Sequence, residues 1–383
     1  MKWMVSINDL DAVQARAIEN ILNNQDSNHW VKGFAGSGKT IVLTHVLERL
    51  ARANPPVKVC FATFTHALKD LVESGLSDNA KRKVDISTFN GLGKLRNDYN
   101  LVVADEMQDI PSRVLPTLAR KSKILVIAAD LDQSIYRSAC SVSELNAAVS
   151  PAKEHQLREI HRINENVFQI ATSVYADAKV VSQTTVRQDN EKARLYEGTS
   201  MRNEFVTMFE EAVRVSAKES PSAVLLPSKA LLDKFIATIA MVNLYSGTTP
   251  SVKDSERPEI GEQADPFKEM NNFLKRNNSP LQVFGGGSGS LYDSDNKKMV
   301  YLMTYHSAKG LDFANVFLPH LTADVSLEAM KNASDVQERR LFFVATTRAR
   351  ERLYLSYHNE PHRFIRDIPK NLLEDFIKQK RNY

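Results

Sequence analysis

The sequence predicts an α/β protein with two domains, each a parallel sheet flanked by helices. Short runs of β-branched and apolar residues alternate with amphipathic stretches of helical period, which is typical of parallel sheets covered by helices. This alternation starts again after Pro151. A chain of 383 residues, 43% of them hydrophobic, can bury two cores of ordinary domain size. We therefore expect one domain over residues 1–150 and a second over residues 151–383.

The predicted strands follow the apolar runs in each half of the chain. In the first domain these runs lie at residues 57–63, 84–89, 101–105 and 123–130. In the second domain they lie at residues 223–228, 281–286, 299–307, 315–321 and 352–357. Residues 246–298 are polar and rich in Pro and Gly, with one plausible helix at residues 266–278. We interpret this segment as a connector with one packed element.

Composition excludes several classes of protein. Cys60 and Cys140 are too few for a disulfide framework and lack the clustered spacing of a zinc site. No uninterrupted apolar run approaches the length of a membrane span, and acidic residues appear early at the N-terminus. We therefore expect a cytoplasmic protein with no membrane partner. The formal net charge of +4 is compatible with a polyanionic partner but does not indicate one.

A phosphate-binding motif lies near the N-terminus. Residues 33–40 read GFAGSGKT and match the pattern GxxxxGK(S/T), with a strand-like segment before them and a helical segment after them. Glycines let backbone N–H groups wrap phosphates at a helix N-terminus, lysine reaches the β- and γ-phosphates, and the hydroxyl ligates Mg²⁺. The alternative is an ordinary Gly-rich turn. We expect ATP and Mg²⁺ to be held by Gly33, Gly36, Ser37, Gly38, Lys39 and Thr40.

A pair of carboxylates follows the predicted strand at residues 101–105. Asp105 and Glu106 would lie at the carboxyl edge of a parallel sheet, where such folds build their sites. Asp105 would hold Mg²⁺ together with Thr40, and Glu106 would polarise the attacking water. An isolated Asp-Glu pair is usually an exposed turn, but a buried strand before it and a phosphate-binding loop upstream favour the catalytic interpretation.

Several segments together resemble the motifs of UvrD/Rep/PcrA-type superfamily 1 helicases. DEMQDI at residues 105–110 and AADLDQSIYR at residues 128–137 resemble the family's DExQD and GDxDQSIYR motifs. LDAVQARAI, FATFTHALKDL, DISTFNGLG and REIHRINENV resemble four more motifs in the same order. YLMTYHSAKGLDF and ERRLFFVATTRARERLYLSY match nearly residue for residue. The resemblance covers residues 10–357, and we identify the chain as a member of this family.

The resemblance implies two RecA-like P-loop domains with the ATP site in the cleft between them. It assigns adenine recognition to Gln14 and γ-phosphate sensing to Gln133. Arg162 and Arg348, both expected from the second domain, would act as arginine fingers that stabilise charge on the transferring phosphoryl group. Gly310, beside Lys309 in the HSAKG turn, would couple the bound strand to the nucleotide.

The resemblance also implies contacts with single-stranded DNA, and it does not exclude RNA. Phe64 and Tyr136 lie in motifs that face the strand, and Phe64 would stack on a base. Thr88, Thr304 and His306 would contact the strand's backbone. For Phe64 alone the alternative is simple core packing, since an aromatic residue after a buried strand usually packs inside.

The chain departs from the family pattern at several places. Only residues 93–100 separate the TFNGL segment from the strand before Asp105, so the first accessory insertion is missing, and residues 246–298 replace the second. Ser138 stands where the family has a base-stacking tryptophan. His161 stands where it has a tyrosine that packs on adenine, and Ile41 stands where an arginine is frequent.

Our leading hypothesis is an Mg²⁺-dependent ATPase that translocates on single-stranded DNA, 3′ to 5′ by resemblance, and unwinds duplexes weakly. A rival is a nucleotide-gated nucleic-acid-binding module, in which a partner protein supplies unwinding or nuclease activity. A small-molecule kinase with the same phosphate-binding loop explains neither the arginines of the later motifs nor the HSAKGLDF segment.

Overall fold

The α/β class expected from the sequence is confirmed in a computed structural model, which contains two parallel sheets flanked by helices. The structure describes residues 4–53, 55–95, 98–130, 134, 139–176, 185–187, 191–218, 220–252, 265–285, 298–327 and 334–376. Two compact units are present. The N-terminal unit comprises Lys2–Arg162 with Lys179–Arg187, and the C-terminal unit comprises Ile163–Ala178 with Gln188–Tyr383.

Six parallel strands form the sheet of the N-terminal unit, in the order β3-β2-β4-β5-β1-β6. The strands are β1 (Asn28–Gly33), β2 (Val59–Thr63), β3 (Val84–Thr88), β4 (Tyr99–Ala104), β5 (Ser122–Ala129) and β6 (Ala152–Leu157). Strand β5 lies between β1 and β4, and all strands point the same way. The residues that follow β1, β4 and β5 therefore share one edge of the sheet, where ligands bind in such folds.

The helices of the N-terminal unit are α1 (Ala12–Asn23), α2 (Lys39–Leu50), α3 (His66–Gly75), α4 (Asp78–Lys81), α5 (Phe89–Leu92), α6 (Leu115–Lys121) and α7 (Val142–Val149). Helix α1 begins with a capping box, in which Asp11 and Gln14 satisfy each other's backbone N–H groups. A buried cluster that includes Trp30, Val102 and Ile127 packs beneath this sheet. Strand β7 (Glu159–Asn164) then pairs with β8 (Thr185–Arg187) in a two-stranded sheet.

Seven parallel strands form the sheet of the C-terminal unit, in the order β11-β12-β10-β13-β14-β9-β15. They are β9 (Ala193–Gly198), β10 (Ser222–Leu226), β11 (Leu281–Val283), β12 (Val300–Thr304), β13 (Phe313–Leu318), β14 (Ala349–His358) and β15 (Leu373–Asp375). The helices are α8 (Glu165–Val174), α9 (Met201–Val215), α10 (Lys229–Val242), α11 (Pro266–Arg276), α12 (Asp335–Thr346) and α13 (Arg363–Asp367). The apolar sides of α9, α10 and α11 form one core with the sheet.

The segment interpreted as a connector contributes to this core. The helix expected there is present as α11, and its Phe267, Met270 and Phe273 are buried in the core of the C-terminal unit. Strand β11 follows as an edge strand of the same sheet. The segment therefore supplies a helix and a strand in addition to joining α10 to β12.

The contact-based division of the chain falls between Arg162 and Ile163. Residues 152–157, which follow the boundary we predicted at residue 150, form β6 and pair with β1 in the N-terminal sheet. Within the described parts of the chain, every helix is too short or too polar to cross a bilayer.

Candidate nucleotide-binding site

The loop between β1 and α2 has the geometry of a phosphate-binding turn. Gly36 and Gly38 adopt positive φ values of 81° and 86°, a region that suits glycine, and Gly38 is the N-cap residue of α2. A side chain at Gly36 would also meet the Cβ of Arg162 at 2.8 Å. The two glycines therefore let the loop turn tightly into a helix N-terminus, where N–H groups and the helix dipole favour an anion.

Lys39 lies in the first turn of α2 and folds over this loop. Its Nζ donates hydrogen bonds to the carbonyl oxygens of Gly33 at 2.8 Å and Phe34 at 3.1 Å. The same nitrogen lies 3.9 Å from a carboxylate oxygen of Asp130, the residue that follows β5. The ammonium group is thus held at the centre of the loop, where it can neutralise phosphate charge.

Thr40 and Asp105 meet at the shared sheet edge. The Thr40 hydroxyl donates a 2.6 Å hydrogen bond to the Asp105 carboxylate, whose other oxygen accepts the Glu106 backbone N–H at 2.8 Å. Burial, reinforced by the Glu106 carboxylate, raises the pKa of Asp105. A hydroxyl and a carboxylate oxygen are ligands that Mg²⁺ prefers, and a cation there would offset the cost of burying Asp105. The residues present therefore fit the expected metal.

Glu106 follows Asp105 in a left-handed backbone conformation, with φ of 58°, and begins a 3₁₀ turn over Met107–Asp109. Its carboxylate accepts a hydrogen bond from the side-chain amide of Gln108. The carbonyl oxygen of that same amide accepts the Asp130 backbone N–H at 3.1 Å. Gln108 thus bridges the ends of β4 and β5 and orients Glu106.

Sequence reasoning did not select Gln108 or Asp130 as site residues. Both lie within the DEMQDI and AADLDQ segments that carried the family resemblance. The sequence signal that could have identified them is that both are polar residues close to the ends of buried strands.

Gln14 supports the loop from the start of α1. Its amide nitrogen donates to the Ser37 carbonyl oxygen at 3.0 Å, and its amide oxygen accepts the Asp11 N–H at 3.2 Å. The Ser37 hydroxyl is buried and has no hydrogen-bond partner among the described residues. A buried hydroxyl of this kind fits a loop that receives a polar ligand. Adenine recognition by Gln14 stays a prediction.

The two arginines expected to act as fingers lie in different units. Arg162 falls in the N-terminal unit, although we expected it from the second domain, and its backbone lies beside Gly36. Arg348 lies in the C-terminal unit and is 1% exposed. Its guanidinium donates to the carbonyl oxygens of Val344 at 2.9 Å and Leu311 at 3.1 Å. Their catalytic roles stay predictions.

The residues expected to contact nucleic acid are partly buried. Phe64 packs against the core of the N-terminal unit, and the Thr88 hydroxyl caps α5 by accepting the Gly91 N–H at 3.3 Å. In the C-terminal unit, the Thr304 hydroxyl lies 2.9 Å from that of Ser307, at the start of the turn that contains His306.

Gly310 closes that turn with φ of 79°. Gln133, Tyr136 and Ser138 lie outside the described residues. The structure therefore shows where the turn lies but assigns no nucleic-acid contact to it.

Two further groups bring three metal-ligating side chains within 4.8 Å of one another in the described parts of the chain. Glu204, His320 and His358 form a buried group, and Asp11, Glu159 and His161 form a surface group near the loop. In the buried group, Glu204 already accepts hydrogen bonds from the backbone N–H of His320 and from the Ser356 hydroxyl, and its carboxylate pairs with the His358 ring. We interpret it as a structural brace.

Comparison with known sequence families identifies the family of the chain. The family described as "UvrD-like helicase C-terminal domain" matches residues 97–360, more than half of the chain, and a family described as "AAA domain" matches residues 14–139. The chain belongs to the UvrD-like helicases. The resemblance drawn from its motifs is thereby confirmed.

Relatives of this UvrD-like chain include the ATP-dependent DNA helicase PcrA of Staphylococcus epidermidis, which is 38% identical over 105 residues. PcrA of Staphylococcus aureus is 37% identical over 105 residues. Each match covers 23% of this chain and 14% of the relative, so the chain spans only a small part of these proteins' length.

Solved structures of helicases also resemble the chain weakly. The PRRSV helicase gives a TM-score of 0.45 at 15% identity, over 92% of this chain and 57% of that one. An arterivirus nonstructural protein 10 helicase in complex with DNA gives a TM-score of 0.44 at 14% identity, over 89% and 63%.

Proposed function

We propose that this UvrD-like chain is an Mg²⁺-dependent ATPase that moves along single-stranded DNA, in the 3′ to 5′ direction by family resemblance. The observation that carries the proposal is the convergence of Lys39, Thr40 and Asp105 at one sheet edge, with the Thr40 hydroxyl 2.6 Å from the carboxylate. Transfer of a phosphoryl group to water requires at least a nucleotide-binding loop and, next to it, a carboxylate that can bind the metal.

Each residue of the site has a distinct task in hydrolysis. The N–H groups of the loop and the Lys39 ammonium bind the phosphates and neutralise their charge. Thr40 and Asp105 would hold the metal, which would supply positive charge to offset that of the phosphates. Glu106, oriented by Gln108, accepts the proton of the attacking water. The site binds, orients and removes a proton without forming a covalent intermediate.

The nucleic-acid contacts belong to the proposal as well. Phe64 would stack on a base, while Thr88, Thr304 and His306 would bind the strand's backbone, a combination that tolerates any sequence. The DNA helicase relatives support DNA as the strand. Movement would follow from changes in these contacts during the hydrolysis cycle.

The decisive experiment is an ATPase assay with and without single-stranded DNA and single-stranded RNA. We expect multiple-turnover, Mg²⁺-dependent hydrolysis that DNA stimulates, together with directional displacement of a protein block from the 5′ end of an oligonucleotide. ATP-dependent binding of DNA without turnover would favour the rival hypothesis of a nucleotide-gated module. Turnover that no nucleic acid stimulates would contradict both.

We further propose that the isolated chain unwinds duplexes poorly. Strand β14 ends at His358 and α13 begins at Arg363, so only residues 359–362 connect them. A connection of this length makes a tight turn and cannot project a wedge between two strands. Opening each base-pair step costs on the order of 1.4 kcal/mol of stacking free energy. A translocase without a wedge to keep the strands apart should therefore move backwards as the duplex re-forms. Efficient unwinding of a long duplex by the purified monomer would contradict this proposal.

A further inference from the structure

We propose that His161 is a positioning residue of the nucleotide site, which holds the phosphate-binding loop through a ring of hydrogen bonds closed by Asp11. The proposal rests on nucleotide binding by the loop, which is part of the proposed function. It adds a residue that lies in neither the loop nor α1. His161 is in β7, at the end of the N-terminal unit.

The ring begins with His161 itself. Its backbone N–H donates to the Gly36 carbonyl oxygen at 3.1 Å, so β7 contacts the middle of the loop directly. Its side-chain Nε2 lies 2.7 Å from an oxygen of the Asp11 carboxylate. Because a carboxylate can only accept, Nε2 is the donor and carries a proton in this contact. One residue therefore touches both the loop and the cap of α1.

The ring closes through α1. The second oxygen of Asp11 accepts the Val13 and Gln14 N–H groups at 2.7 Å each, which fixes the first turn of the helix. The Gln14 amide nitrogen then donates to the Ser37 carbonyl oxygen at 3.0 Å. The path runs from β7 through Asp11 and Gln14 back to the loop, one residue beyond Gly36.

The ring fixes two consecutive carbonyl groups of the loop. The carbonyls of Gly36 and Ser37 are both held from outside, the first by β7 and the second by α1. In a planar trans peptide the N–H points opposite to the carbonyl. Holding the Ser37 carbonyl toward Gln14 therefore directs the Gly38 N–H to the other side of the loop. A preorganised N–H at a helix N-terminus is what an anionic phosphate needs.

The same anchor places Arg162 next to the loop. A Cβ at Gly36 would lie 2.8 Å from the Cβ of Arg162, and the close approach depends on where β7 is held. The side chain of His161 ties this strand to the start of α1. Losing it would free the helix cap, while the backbone bond from His161 to Gly36 would still hold β7 and Arg162 beside the loop.

The charges around His161 set the size of the effect. The Asp11 carboxylate, at the cap of α1, lies 2.7 Å from the His161 Nε2, and the Glu159 carboxylate, on β7, lies 3.8 Å from the same nitrogen. The next residue in the chain is the cationic Arg162. The His161 side chain is 45% exposed, while that of Asp11 is 13% exposed. A half-exposed, charge-assisted hydrogen bond is moderate in strength, so we expect effects of roughly three- to tenfold on nucleotide affinity.

Two single variants and their combination test the ring. His161→Ala removes the side-chain contact and keeps the backbone bond to Gly36. Asp11→Ser keeps a side-chain oxygen for the helix cap, since Ser caps as well as Asp, but is too short to reach His161 at the same time. Glu159→Gln is the matched control, because it removes a nearby negative charge at 3.8 Å without opening the ring.

Nucleotide affinity is measured directly by titrating a fluorescent ADP analogue, and KM and kcat are measured with ATP and single-stranded DNA. We expect His161→Ala and Asp11→Ser each to raise Kd and KM by roughly three- to tenfold, with kcat within about twofold of wild type. The double variant should bind the ADP analogue with about the same affinity as the weaker-binding single variant, because either change alone opens the same ring. Glu159→Gln should leave Kd within about twofold.

His161→Gln, which retains a side-chain N–H donor, should recover part of the affinity lost in His161→Ala. Unchanged Kd in both single variants, or fully additive losses in the double variant, would overturn the proposal. If His161→Ala fails to fold, the Kd of Asp11→Ser decides alone. A wild-type protein that binds ADP but does not hydrolyse ATP contradicts the proposed function, yet the Kd values still test the ring.

Discussion

Replacing His155 by Leu should make the stability of this protein less sensitive to acid. His155 on β6 and His29 on β1 form a buried pair at the edge of the N-terminal sheet, with stacked rings whose centroids are 5.2 Å apart. The His155 Nε2 lies 2.9 Å from the His29 Nδ1, and the His29 Nε2 lies 2.9 Å from the Asn24 carbonyl oxygen.

These contacts fix the protonation states of both rings. A carbonyl oxygen only accepts, so the His29 Nε2 carries the proton that it donates to Asn24. In a neutral ring the His29 Nδ1 is then an acceptor, and the His155 Nε2 must donate to it. A proton added to His29 would place two N–H groups against each other. A proton added to His155 would leave a charge buried beside a second imidazole.

The sign of the effect follows from the shifted pKa values. Burial, followed by the neighbouring His29, lowers the pKa of His155 from its ordinary value to about 4, and burial also lowers the pKa of His29. Between about pH 6.5 and pH 4 the unfolded chain therefore binds more protons than the folded one, and stability falls as the pH falls through this window. His155 alone should contribute a loss of roughly 2 kcal/mol between pH 7 and pH 5.

Urea unfolding at pH 7 and pH 5 measures this loss for wild type and His155→Leu. The substitution leaves the His29 Nδ1 without its donor, which costs about 1–3 kcal/mol at either pH, so the quantity of interest is the change between the two pH values. Comparing the two proteins at each pH cancels the titrating groups that do not contact His155, Asp105 included. A variant that loses as much stability as wild type over this window would refute the argument.

Three further predictions concern the site. Glu106→Gln should bind ATP with nearly normal affinity but hydrolyse it far more slowly, measured by nucleotide titration and steady-state turnover; near-native turnover would remove Glu106 as the base. Arg162→Ala or Arg348→Ala should lower kcat by roughly three orders of magnitude with little effect on nucleotide binding, as for arginine fingers elsewhere, and a variant with normal turnover would exclude that arginine. DNA affinity should fall steeply with added salt, and Phe64→Ala should weaken DNA binding on every sequence by a similar factor, both measured by anisotropy titration. A salt-independent affinity, or a Phe64→Ala protein that merely unfolds, would show that Phe64 serves core packing instead.

Most buried strands were predictable from the sequence, and the edge strand β6 was not. The run that became β4 is apolar at every position facing the core, because a central parallel strand is covered on both sides. Strand β6 has the sequence AKEHQL, in which only His155 and Leu157 are buried. One side of an edge strand lacks a neighbour, so its composition resembles that of a loop. This is why the sequence suggested a domain boundary where β6 begins.

The sequence predicted those site residues whose positions follow directly from the ends of the strands. Thr40 and Asp105 were expected together because a phosphate-binding loop and a carboxylate that both follow strands of one parallel sheet must share one sheet edge, and their 2.6 Å contact shows this proximity. The contact between His161 and Asp11 joins residues 150 positions apart in sequence. Its existence depends on the course of β7 beside the loop, which no local pattern encodes.

The carboxyl edges of the two sheets differ in how their polar groups are used. In the C-terminal unit, Glu204 is fully buried, and it is satisfied by the Ser356 hydroxyl at 2.7 Å and by His358 at the end of β14. In the N-terminal unit, the buried Asp105 is met by a neutral hydroxyl, and the hydroxyl of Ser37 has no partner among the described residues. A buried carboxylate without a bonded cation gains most from a metal, because burial penalises an uncompensated charge. The carboxyl edge of the N-terminal sheet is therefore equipped for a charged ligand, and that of the C-terminal sheet for the stability of its own unit.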